Sequence, residues 1–151
     1  MKKRSFVLAL VVLLVGVLTI PASAAEPEVV YESELVWVDG YGEVEVETVT
    51  TVYDSVMRSS TKTASRSKTY KSDGTVIATI TLKTTFGYDG SNAWVSSTNV
   101  TKSLSTGWSY SGQSIDKNGG TVTLTAEVYK LLVGTIPVEI TMTCSPNGTI
   151  S

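Results

Sequence analysis

From residue 29 to residue 144 apolar and polar side chains alternate with a period of two. The alternation is broken at Asp39-Gly40, Asp73-Gly74, Asp89-Gly90 and Asn118-Gly119-Gly120. A period of two sends successive side chains to opposite faces of an extended strand, so the pattern predicts strands, not helices. Asp-Gly and Asn-Gly supply the left-handed backbone that tight hairpins need. Strands are predicted near residues 29–38, 43–53, 61–71, 75–87, 92–101, 107–115, 121–130 and 135–144. No window of a dozen residues carries a helical stripe. The expected fold is all-β, an antiparallel β-sandwich of about seven to nine strands.

The first 24 residues stand apart from this pattern. Lys2, Lys3 and Arg4 precede an apolar run from Phe6 to Ile20, and Pro21-Ala22-Ser23-Ala24 closes it with small residues. The run is about 15 residues, shorter than the ~20 of a membrane-spanning helix. It reads as a secretory signal peptide cleaved between Ala24 and Ala25. Residues 25–151 then form a single domain, long enough to bury a core. Without the three leader cations, nine basic residues stand against fourteen acidic ones, a net charge of about −5. That balance disfavours nucleic acid and anionic membrane as partners. Cys144 is the single cysteine, so the chain is disulfide-free within itself. Export without disulfides points to a Gram-positive bacterium and a secreted, extracellular protein.

Hairpin parity predicts which face each residue takes, because a one-residue slip moves every side chain to the other face. A four-residue loop at residues 39–42 pairs Trp37 with Val44 and Leu35 with Val46. Trp37 and Leu35 are then core, and Glu32, Glu34, Glu43, Glu45 and Glu47 face water. A two-residue turn at Asp73-Gly74 pairs Ser67 with Ile80 and turns Lys62, Arg66 and Lys68 outward. A three-residue loop at residues 88–90 puts Trp94 and Val100 in the core beside Phe86 and Leu82, with Asn99 outside. A loop at residues 117–119 turns Trp108 and Tyr110 inward. The last strand adds Ile136, Val138, Ile140, Met142 and Cys144 to the core, and Pro137 means that it either lies at a sheet edge or starts late.

The chemistry on offer is narrow. The chain has no histidine, which removes imidazole-based catalysis and imidazole metal sites. Cys144 reads as a buried thiol. Paired carboxylates among Glu32, Glu34, Glu43, Glu45, Glu47 and Glu127 are the remaining catalytic route, that of a glycoside hydrolase. Asp39, Asp73 and Asp89 each stand alone in a turn, too few ligands for calcium. No cofactor or metal is expected. Among the aromatics Tyr41, Tyr88, Trp94, Trp108 and Tyr110, the turn residues Tyr41 and Tyr88 are the candidate ligand-binding positions.

The segments "TVIATITLKTTFGYDGS" and "GWSYSGQSIDKNGGTVTLTAEVYKLLVGTIPVEITMTCSPNGTIS" cover much of residues 74–151. They resemble a set of uncharacterised small secreted β-rich proteins of Gram-positive, Clostridia-type bacteria. The resemblance implies fold class, export and source; no activity or functional residue follows from it. The expected function is that of a secreted non-catalytic binding or structural protein, with an extracellular protein or glycan as partner. The alternative is a secreted effector, such as a bacteriocin-like protein or an inhibitor. The mature chain is expected to carry no membrane span.

Overall fold

The computed structural model describes residues 26–53 and 60–151. The expected leader and its expected cleavage site, Ala24 and Ala25, lie outside the described residues. Eight strands follow one another: β1 (Glu28–Val38), β2 (Gly42–Tyr53), β3 (Thr61–Ser72), β4 (Thr75–Tyr88), β5 (Ala93–Leu104), β6 (Ser109–Asn118), β7 (Thr121–Lys130) and β8 (Gly134–Thr143). The first five form one antiparallel sheet in chain order, and the last three form a second. The two sheets pack as an all-β sandwich. The described residues contain no helix.

The core lies where the inner faces meet. The large sheet supplies Val44, Val46, Ile80, Leu82 and Phe86, and the small sheet supplies Val122, Leu124, Val128, Ile140 and Met142. Cys144 is buried at the end of the last strand, as its phase with Ile140 and Met142 predicts. Burial raises its thiol pKa, and Lys62 pulls the other way. Pro137 does lie on an edge strand, opposite Glu127.

Four local features set the facing of residues, and three of them change the expected pattern. In the first hairpin Val38 pairs with Gly42, so the loop is three residues long. Trp37 consequently lies opposite Glu43 and Leu35 opposite Glu45, on the outer face. Glu34 and Glu32 turn to the inner side, opposite Val46 and Thr48. This register brings two loops into close contact. A methyl group on Gly40 would sit 2.6 Å from the Val133 carbonyl oxygen, so this turn is pressed onto the β7–β8 turn. Gly40 is left-handed, with φ of 82°.

In the β3–β4 hairpin the two-residue turn is present, with Ser72 opposite Thr75. A bulge then intervenes: Lys71 faces Val76, but Tyr70 faces Ala78. Ile77 is the extra residue, and both Ile77 and Ala78 are buried. The Ser105 N–H donates to the Ile77 carbonyl at 2.9 Å and anchors the bulge. The bulge reverses the parity of β3, so Lys62, Arg66 and Lys68 face the inner side, opposite Phe86, Leu82 and Ile80. Their predicted outward position is therefore corrected.

The β4–β5 hairpin places Val100 opposite Leu82 and Asn99 opposite Lys83, which is the predicted facing. Its loop, however, is four residues, and a bulge at Ser96 reverses the strand end. Trp94 lies opposite Gly87 on the outer face and is 44% exposed, so it is not core. At β6–β7 the turn is two residues, with Asn118 opposite Thr121, and a bulge falls between Ser111 and Ser114. Shorter turn and bulge cancel. Tyr110 lies opposite Val128, and Trp108 and Tyr110 pack half-buried against the core, as predicted.

Candidate functional site: the β1 margin

Strand β1 ends the large sheet, and its two faces differ sharply. On the outer face Tyr31 is 64% exposed, Leu35 52% and Trp37 74%. Ser33 sits between them, and its hydroxyl donates to Glu45 Oε1 at 3.2 Å. This is an apolar stripe on a strand whose neighbour β2 offers glutamates on that face. A second exposed apolar spot lies at the end of the sandwich. The loop at residues 39–41 touches the β7–β8 turn, where Leu131 is exposed and Leu132 is 99% exposed. Leu132 also holds a φ of 63°, uncommon for a bulky side chain.

The inner face of β1 carries Glu28, Glu32 and Glu34 together with Val30, Val36 and Val38, and it borders a groove of about 550 Å³. Glu32 and Glu34 of β1, Arg66 and Lys68 of β3, and Glu139 and Thr141 of β8 line it. It exists because five strands are covered by three. Arg66 bridges the layers: its Nε donates to Thr50 Oγ1 at 2.8 Å, and its Nη1 donates to the Thr141 carbonyl oxygen of β8. Burial lowers the Arg66 pKa, while Glu32 opposes that shift. Burial also raises the pKa of Tyr70 further along the same face, helped by Glu34 and Tyr110.

The turn tyrosines take other places. Tyr41 is half-buried, with its ring edge-to-face against Trp108 at a centroid distance of 5.1 Å. Tyr88 is half-buried, and Gly148 approaches its ring so closely that a methyl group there would lie 2.6 Å from Cζ. Neither lines the groove or joins the stripe. The carboxylates considered from sequence divide: Glu43, Glu45 and Glu47 lie on the outer face, Glu32 and Glu34 on the inner side. Glu47 pairs with Lys71 at 2.5 Å. Among the described residues no group of three or more acidic or cysteine side chains is placed to hold a metal ion. No described helix is long and apolar enough to cross a membrane.

The sequence pattern does not mark the stripe as exposed. Val29, Tyr31, Leu35 and Trp37 alternate as a core face would, and so do Val36 and Val38 on the opposite face. The three-residue loop selects the Val36 and Val38 face for the core. No family model matches the chain, and no curated protein or solved structure matches it either.

Proposed function

We propose that this chain is a secreted, non-catalytic interaction protein that docks another macromolecule on its β1 margin. One observation carries the reading: Tyr31, Leu35 and Trp37 form an exposed apolar row on an edge strand. Burying such side chains is worth ~1.5–3 kcal/mol each, and the fold leaves that gain unused. A row of exposed apolar side chains marks an interaction surface, and Leu131 and Leu132 are exposed on the turn that the 39–41 loop touches. Secretion rests on the leader sequence. The lack of histidine and the burial of Cys144 support a role without nucleophilic catalysis.

Size-exclusion chromatography of medium from the producing organism tests the reading. The wild-type chain should elute in a complex larger than the monomer. A Leu35→Ser, Trp37→Ser variant should elute as monomer while keeping its urea midpoint. Identical elution of the two would contradict it.

A further inference from the structure

The four sheet edges are not equally guarded. The β8 edge carries Pro137, receives Arg66 at the Thr141 carbonyl, and exchanges backbone hydrogen bonds between Thr143 and Ser151 at 2.9 Å. The β6 edge is bent by the bulge between Ser111 and Ser114, with Gly112 left-handed. The β5 edge is bulged at Ser96, and its outer face beyond Trp94 is Ser97, Asn99, Thr101 and Ser103. Bulges, proline and covering groups are the usual devices against unwanted strand pairing. Among the described residues strand β1 has no bulge, proline or covering group, and its one guard is the set of inward-facing glutamates. It pairs continuously with β2 over 11 residues without a register shift, and no described element pairs with its second edge. Every second residue therefore presents its N–H and C=O to the open side.

What β1 does have is a row of carboxylates. Glu28, Glu32 and Glu34 share its inner face, opposite Val52, Thr48 and Val46. A second copy brings this edge no cation, since β1 has no Lys or Arg, and the register that best aligns the apolar row adds repulsion. Antiparallel self-pairing centred on Ser33 would match Tyr31 with Leu35 on the outer face, but would set Glu32 against Glu34 of the copy. Like charges directly opposite are destabilising.

The cations of the groove offset this charge only in part: Glu32 acts on Arg66 across the groove, but three carboxylates face two cations there. Arg66 and Lys68 lie two strands away, ~10 Å across the sheet, and Arg66 is held by Thr50 and Thr141. Glu139 of β8 adds a third carboxylate to the groove wall. A strand added at the open edge would run ~5 Å from the glutamate row, half that distance.

We propose that β1 accepts an extended polypeptide in which Lys or Arg alternates with apolar residues, adding it to the large sheet as a sixth strand. The inference rests on the β1 margin being the docking surface and names the chemistry of the partner. One face of the incoming strand meets Tyr31, Leu35 and Trp37. The other sets cations beside Glu28, Glu32 and Glu34. Main-chain hydrogen bonds give affinity, and the alternation gives register and direction.

Three blocked nine-residue peptides test it against the purified full-length chain: alternating Val and Lys, alternating Val and Glu, and a block peptide with the Val and Lys segregated. Calorimetry should show the alternating Val-Lys peptide binding at least ~10-fold more tightly than the other two, since three charge pairs change sign or lose register. Binding should weaken with salt. Hydrogen exchange of the β1 amides should slow in the complex. The Glu32→Gln, Glu34→Gln variant, with an unchanged urea midpoint, should lose the preference for Lys over Glu. Equal binding of the block or Val-Glu peptide, unslowed β1 amides, or self-association of the chain through β1 would overturn the proposal. If no peptide binds while the Leu35→Ser, Trp37→Ser variant still loses the larger complex, the partner chemistry fails and the docking surface stands.

Discussion

The indole of Trp94 lies over the α-carbon of Gly87, its direct partner across the β4–β5 hairpin. A methyl group on Gly87 would overlap the indole at Cε2, Cζ2 and Nε1. This glycine is therefore the bed of a half-exposed tryptophan. Gly87→Ala should cost ~1–3 kcal/mol, the usual range for an overpacked site. In a Trp94→Ala background the same change should be neutral or mildly stabilising, because alanine is otherwise better than glycine in a strand. Urea melts of the two single variants and the double variant measure the coupling, expected to exceed ~1 kcal/mol.

The strands and turns of this protein are legible from its sequence, and the faces are legible only in part. Alternation locates every strand, and Asp-Gly or Asn-Gly turns mark four of the seven connections. Facing depends on one-residue events that alternation alone does not report. Val76-Ile77-Ala78, three apolar residues in a row, is a visible trace of the bulge that turns Arg66 and Lys68 inward. Ser96 leaves no such trace, and Trp94 is misplaced as a result. For Trp108 and Tyr110 the short turn and the bulge cancel, so the right faces follow from the wrong loop. The β1 stripe depends on the length of the 39–41 loop, where Gly40 contacts Val133, far apart in the chain. Local pattern carries no information about such a contact.

Thr84 is fully buried between Ala64 and Thr98, and its hydroxyl has no hydrogen-bond partner. A buried hydroxyl without a partner bears an uncompensated desolvation cost. Thr84→Val keeps the branched shape and removes the oxygen. It should raise stability by ~1 kcal/mol, read as a higher urea midpoint at unchanged slope. An unchanged or lower midpoint would mean that the oxygen is satisfied.

Asp89 caps its own turn. Its Oδ1 accepts from the Asn92 N–H at 2.7 Å and the Ser91 N–H at 2.9 Å. The Asn92 N–H first, then that of Ser91, holds the carboxyl pKa below the ordinary aspartate value. A depressed folded pKa means that the unfolded chain binds the proton more readily. The stabilisation is thus present above the unfolded pKa and is lost as pH falls through the folded one. Asp89→Ala should be less stable than the parent at neutral pH. The gap should narrow in strong acid, below the ordinary aspartate range. Urea midpoints of both chains across that range check the sign, and a gap that widens in acid would contradict it.

Site-specific photo-crosslinking tests the β1 docking surface most directly. A benzoylphenylalanine at Trp37 and another at Asn99, on the same sheet face but the opposite edge, are compared in cultures of the producing organism. Irradiation should give a discrete higher-mass adduct from position 37 and none from position 99. Equal adducts from both positions, or no adduct from position 37, would contradict the assignment of β1 as the binding margin.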